Sequence, residues 1–374
     1  MKNFKAGTYI SQGSFKSFVP NEINRIWQID DPEVIGLLSK ADRQLGRLDM
    51  YSEYIPNLDL FIRMHVIKEA TQSSKIEGTR TNIEDALQNK HNVAEERRED
   101  WEEVQNYIKA LNQAIQSLED LPFSSRLIRQ AHKTLLHGVR GKNKQPGVFR
   151  TSQNWIGGAT LSDATFIPPP ASEISRLMGD LEKFAHNEEV FFPDLLKIAL
   201  IHYQFETIHP FLDGNGRVGR LCITLYLVEK GLLKKPVLYL SDFFEKNRQL
   251  YYDNLMKTRL DNNIKQWYKF FLVGIIETAK SSIATFDNIL KLQKEINEKI
   301  NTLGSRAGNA NLVIDSLYQN PLTNAQQVAS LTGLSLPTAY KIVSDLETLG
   351  IIREFTGAQR GKQYWFKDYL DLFK

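Results

Sequence analysis

Apolar residues recur three and four positions apart in LDLFIRMHVIKEA (residues 58–70) and DLLKIALIHYQFETI (194–208), a period that predicts helices. The same spacing runs through most of the chain, so the expected fold class is mainly α. One region breaks the pattern. In GVFRTSQNWIGGATLSDATFIPPP (147–170), Gly157 and Gly158 separate two short β-prone runs and three prolines stop the second, which predicts a small β-hairpin. A helical stretch from about Trp267 to Ile300 then gives way to the polar, glycine-bearing TLGSRAGNAN (302–311), which reads as a linker. Beyond it, residues 325–354 hold a short helix, a turn at Gly333, a second helix carrying Ala339, Ile342, Val343 and Leu346, and a β-prone run after Gly350. GAQRGKQYWF (357–366) closes this segment as a hairpin, and two helices followed by such a wing predict a winged helix-turn-helix.

Three units are therefore expected within the 374 residues: a helical N-terminal region (1–110), a helical core carrying the hairpin (111–300) and the winged unit (305–374). Cys222 is the single cysteine, which excludes an internal disulfide framework and fits a reducing cytosol; packing is its expected role. The first eighteen residues lack the apolar run of a signal peptide, and WYKFFLVGII (267–276) is too short to span a bilayer, so a cytoplasmic protein without a membrane partner is expected. A formal net charge of +3 does not by itself argue for a nucleic-acid partner.

The chemistry concentrates in HPFLDGNGRVGR (209–220). Pro210 should stop the preceding helix near His209. Gly214, Asn215 and Gly216 permit a tight bend, and a helical pattern resumes at once, ending at Gly231. A helix start offers unpaired N–H groups and partial positive charge, and the lack of bulk at the two glycines lets phosphate oxygens approach. Arg217 and Arg220 lie three apart, on one face of that helix. A polyphosphate is the ligand this predicts. Asp213 would repel it unless Mg²⁺ stood between them, since that ion commonly takes one or two carboxylates plus substrate phosphates. The lysine of a Walker loop is missing. His209, which titrates near neutrality, suits a general base acting on an incoming hydroxyl, and the chemistry predicted is nucleotidyl or phosphoryl transfer. A metal site from His202, His209 and Asp213 lacks zinc-type spacing and leaves the glycines unexplained.

The stretch resembles the HPFx[D/E]GNGRxxR signature of the Fic family at every defined position. The resemblance implies an enzyme that moves AMP from ATP to a Ser, Thr or Tyr hydroxyl of a protein, with His209 as base, Asp213 holding Mg²⁺, and Gly214, Asn215, Gly216, Arg217 and Arg220 on the phosphates. It also implies that Phe211 anchors the loop, that the hairpin is a flap positioning the target through strand-like pairing, with Leu161, Thr165 and Phe166 setting register, and that Tyr251 and Tyr252 are candidate adenine contacts. The chain itself is among the candidate targets, and a second copy is a candidate partner.

Upstream, SSKIEGTR (73–80) is similar to the family's inhibitory motif through Ser73, Glu77 and Gly78. Ser73 and Glu77 lie four apart on one helix face, Gly78 is a helix stop, and Thr81 with Glu84 reads as a capping box for the next helix. An acid in a last turn opposes the helix dipole, so a cationic partner is expected. The resemblance names it as Arg220, which would keep that arginine from the ATP γ-phosphate; it also implies a reverse deAMPylation in which the glutamate activates water.

The run EERREDWEE (95–103) reads as a solvated helix face. The alternative reading is a nucleotide-sensing regulator that binds DNA through the winged unit. There seven Lys and Arg stand against six acids from Ser305 to Lys374, a poor footprint for phosphate contacts.

Overall fold

The computed structural model describes residues 4–55, 58–189 and 191–374. It begins with an antiparallel hairpin that the helical period did not announce. β1 (Gly7–Ser11) and β2 (Lys16–Pro20) pair with Tyr9 opposite Phe18, and Gly13 adopts a φ of 75° in the turn. Phe18 is 1% exposed, a burial worth roughly 2 kcal/mol. Its backbone N–H donates to the Ile167 carbonyl at 2.9 Å, which ties the hairpin to the segment ahead of the prolines.

Eleven helices follow: α1 (Pro32–Tyr54), α2 (Leu58–Ile76), α3 (Ile83–Leu87), α4 (Arg98–Ser117), α5 (Ser125–Leu135), α6 (Ile174–His186), α7 (Asp194–Ile208), α8 (Asn215–Glu229), α9 (Ser241–Lys246), α10 (Arg248–Asp261) and α11 (Ile264–Asn301). α7 is buried on every side from Leu195 to Ile208 and forms the central post, with α6, α8 and α11 packed around it. α2, α4 and α5 cover α8, and Cys222 is a packing residue at 2% exposure. α1 lies along α11, its start set by Pro32 and by an Asp31 carboxylate that accepts from the Glu33 and Val34 N–H groups.

One local expectation fails and another is met only in part. The cap of α3 is Asn82, whose side chain accepts from Asp85 N at 2.7 Å; the Thr81 hydroxyl has no partner, because the helix starts one residue later than the Thr81–Glu84 box requires. The expected hairpin across 147–170 reduces to one two-bond bridge between Ile156 and Phe166, with a short helical turn at Leu161–Asp163 filling the bend. Asp163 accepts from the Ala159 and Thr160 N–H groups, so side-chain bonds replace a longer ladder.

Nor is 302–311 an open linker. Gly304, with φ of 59°, ends α11 and a single turn leads into α12 (Ala307–Gln319), whose Ala310, Val313, Ile314, Leu317 and Tyr318 form a buried stripe. β3 (Leu322–Thr323), α13 (Ala325–Thr332), α14 (Leu336–Thr348), β4 (Arg353–Glu354), β5 (Tyr364–Trp365) and α15 (Lys367–Leu370) complete the chain, with sheet order β3–β5–β4. This unit packs on α2 and α3: Tyr318 meets Phe61 edge-on at 5.2 Å, Phe373 meets His65 at 5.1 Å, and Lys374 pairs with Glu84 of α3 at 2.7 Å. No helix among the described residues is long and apolar enough to cross a membrane.

Candidate active site

α7 ends at His209, which takes the left-handed conformation (φ 51°, ψ 60°) while its N–H still reaches the Phe205 carbonyl. A non-glycine residue holds such geometry only where its surroundings insist. Here the His209 carbonyl accepts from Arg150 Nε at 3.0 Å and Asn154 Nδ2 at 3.3 Å. Arg150 is 2% exposed and also donates to the Pro169 and Ser152 carbonyls; burial without a carboxylate pulls its pKa down to about 10. One guanidinium thus fixes the histidine's backbone and the root of the flap together.

Phe211 is fully buried and stacks on His132 with ring centres 3.7 Å apart. Gly147 N–H donates to His132 Nδ1, so Nε2 carries the proton and donates to the Asp213 carbonyl at 2.9 Å. Asn215 spends its amide on the same loop, accepting from Phe211 N at 2.8 Å and donating to Phe211 O at 2.9 Å. Gly214 then turns the chain with a φ of 75° and α8 starts with no side chain capping its first N–H groups. The Asp213 carboxylate is 40% exposed at its side chain; Oδ1 accepts from Gly214 N, and Oδ2 lies where a side chain on Gly141 would stand.

Glu77 closes over this turn. α2 ends at Ile76, and Gly78 (φ 99°) reverses the chain so that the Glu77 carboxylate reaches Arg220 Nη2 at 2.6 Å. Arg220 also donates from Nε to Ser73 Oγ and from Nη2 to Ser73 O, each at 2.9 Å. A methyl group on Gly216 would run into Glu77 Oε1, so the carboxylate lies directly against the helix start. Burial works to raise the Glu77 pKa, but Arg220, then Arg217 and His209, outweigh it and the net shift is downward. Loss of water holds the His209 pKa down to about 3, with Arg150 adding to it, so the ring is neutral; its Nδ1 is buried without a hydrogen-bond partner.

The remaining expected residues divide. Tyr252 keeps 38% exposure, and burial raises its hydroxyl pKa, with the charge of Glu77 adding to the rise and that of Arg220 opposing it. Tyr251 is 1% exposed, stacks on Phe244 and bonds His202 Nε2 at 3.0 Å, which leaves no face for an adenine; the core claims it because α10 packs beside α9. His202 spends its other nitrogen on the Gly219 carbonyl, so the three-residue metal set does not assemble. In the flap, Thr165 is exposed and Leu161 half-buried, whereas Phe166 is 3% exposed beneath the Arg259 guanidinium, 4.0 Å away.

Sequence reasoning missed His132, Arg150 and Arg259, whose roles depend on contacts distant in the chain. It also misread 95–103: Glu103 is 4% exposed and pairs with Arg217 Nη1 at 2.8 Å. Glu206 escaped as well. Burial lifts its pKa to about 7, Arg220 resists, and Oε1 lacks a partner.

A histidine, a glycine bend and two arginines, gathered at the start of one buried helix under a short flap, define a mainly helical protein organised around this loop. The sequence matches the description Fic/DOC family N-terminal over residues 35–116 and Fic/DOC family over 122–227, and the chain belongs to that family. It is 42% identical over 89 residues to a probable protein adenylyltransferase of Aquifex aeolicus, covering 24% of this chain and 26% of that protein. It is 32% identical over 125 residues to protein adenylyltransferase Fic of Aedes aegypti, covering 33% and 22%. The chain thus spans about a quarter of the length of these curated relatives. Among solved structures, a Fic family protein from Desulfovibrio desulfuricans superposes with a TM-score of 0.57 at 20% identity, over 91% of this chain and 98% of that one. A Fic domain containing signaling protein from Bacteroides thetaiotaomicron gives 0.52 at 20% identity, over 68% and 97%. At that identity the likeness is one of fold.

Proposed function

We propose that the protein transfers AMP from MgATP to a Ser, Thr or Tyr hydroxyl of a protein, its own chain included, and that Glu77 restrains it. The observation that carries this reading is a neutral His209 ring beside a helix start whose first N–H groups no side chain caps. The target hydroxyl oxygen forms a bond to the α-phosphorus, the bond from that phosphorus to the bridging oxygen breaks, and pyrophosphate leaves with the electron pair. His209 takes the hydroxyl proton. The α8 N–H groups and Arg217 face the phosphate charge, and Arg220 does so once Glu77 lets go. Asp213, partly exposed beside the bend, fits a Mg²⁺ site, and phosphates and water must complete it, since no group of three or more His, Cys, Asp or Glu that could hold a metal occurs among the described residues. When bound, that ion would neutralise phosphate charge.

The relatives named adenylyltransferases support AMP as the transferred group. The flap supports a protein target: Ile156 and Phe166 hold two extended segments side by side, a template for a third. The C-terminal unit we read as a winged helix whose charge does not favour DNA, because α14 offers Lys341 beside Asp345 and Glu347. α-Labelled ATP should label protein with Glu77→Gly, and adding His209→Ala should abolish it. Label arriving from γ-labelled ATP instead would overturn AMP as the group moved.

A further inference from the structure

We infer that Glu103 is a positioning residue that holds Arg217 for the triphosphate. The inference rests on the reading of the loop as an ATP site. Arg217 and Glu103 have side chains 5% exposed and meet at 2.8 Å through Arg217 Nη1 and Glu103 Oε2. The other Glu103 oxygen is not free to follow Arg217 elsewhere, because it accepts from Arg140 Nε at 2.7 Å. Arg140 is in turn anchored on Asp100 at 2.5 Å. Two arginines from separate segments therefore hold one carboxylate from both sides, and α4 delivers that carboxylate from its second turn.

A guanidinium presents its donors as two flat forks. With Nη1 taken by Glu103, the fork left over is the Nε and Nη2 edge. Arg217 Nε–H is buried and has no acceptor, while Nη2 stands 3.9 Å from Asp213 Oδ1. Asp213 Oδ1 in turn accepts from Gly214 N, so that edge is turned toward the start of the bend, where phosphate oxygens would lie. An unanswered donor on a buried cation is costly, and an arriving phosphate answers it. Without Glu103 the plane of the guanidinium loses its reference, and Arg217 can turn toward Asp213, four residues behind it on the same helix start.

Glu103→Gln preserves shape but sets an amide N–H against one of the two arginines, donor against donor. We expect it to weaken ATP binding to the full chain by about tenfold, the lower end of what losing an orienting partner costs at metal sites. Adenosine, which lacks phosphates, should bind within twofold of the unsubstituted protein, and this serves as the folding control. In an Arg217→Ala background the same substitution should change ATP affinity by less than twofold. Equal weakening for ATP and adenosine, or a Glu103 effect that survives the loss of Arg217, overturns the inference. So does an unchanged ATP affinity, which leaves the ATP site itself standing. If the unsubstituted protein binds ATP no tighter than adenosine, the ATP reading fails and this inference with it.

Discussion

Replacing Glu77 by glycine tests the proposed restraint directly, because the carboxylate would oppose ATP in two ways. It occupies Arg220, and its Oε1 lies against Gly216 where phosphate oxygens would approach. Arg220 has a side chain 1% exposed while that of Glu77 is 35% exposed, so the pair is sheltered on one side and open to water on the other. Breaking a buried, hydrogen-bonded charge pair costs about 2–5 kcal/mol, and solvent on the glutamate side places this one near the lower end, about 2–3 kcal/mol. At 1.4 kcal/mol per decade, competition from Glu77 suppresses the productive pose by roughly 30- to 150-fold. Initial rates of AMP incorporation from α-labelled ATP, with Mg²⁺ present, should rise by that factor in Glu77→Gly. Glu77→Gln, which keeps the bulk over Gly216 and loses the charge, should fall between the two. A rise of less than about threefold in Glu77→Gly would show that the ion pair does not limit the reaction, whatever the enzyme transfers.

Other outcomes follow from the same contacts. The rate profile of Glu77→Gly should be flat between pH 6 and 8, since burial and Arg150 keep the His209 ring neutral down to about 3 and removing Glu77 takes away a charge that raised it; a break near 6.5 refutes this. Stability should fall as pH drops below 6.5: burial holds His65, His202 and His209 near 3, so the unfolded chain takes up protons that the folded one refuses. His132, held down to about 4 by burial, adds to this, while Glu206, lifted by burial to about 7, binds a proton in the folded state and works the other way, so the net slope should reach roughly 4 kcal/mol per pH unit near pH 5, measured by urea unfolding at pH 5.5 and 4.5. Arg150→Lys should lower stability by about 2–3 kcal/mol and activity with it, because an ammonium cannot span the His209 and Pro169 carbonyls; unchanged denaturation and labelling would refute the clamp.

What could be read from the chain alone was local. HPFLDGNGRVGR announced its own bend because proline and glycine act on their immediate neighbours, and the structure places the turn where they put it, with His209 and Gly214 both left-handed. SSKIEG likewise carried a helix end and a free acid within six residues. Apart from the cap of α3 and the turn at Gly304, what failed needed two distant segments. Residues 7–20 alternate like a strand pair around Gly13, yet their significance lies in the Phe18 to Ile167 bond, 149 residues away and invisible to any period. The run 95–103 looked solvated because charge density was the visible signal, whereas the burial of Glu103 is set by Arg217, 114 residues further on. TLGSRAGNAN looked loose because glycine was counted as flexibility, when Gly304 simply ends one helix and Ala307 and Ala310 build the next. A linker would leave the C-terminal unit independent of the site, but Tyr318, Tyr369 and Phe373 are packed onto Phe61 and His65 of α2, the helix that ends next to Glu77. The C-terminal unit therefore packs on the same helix that leads into Glu77.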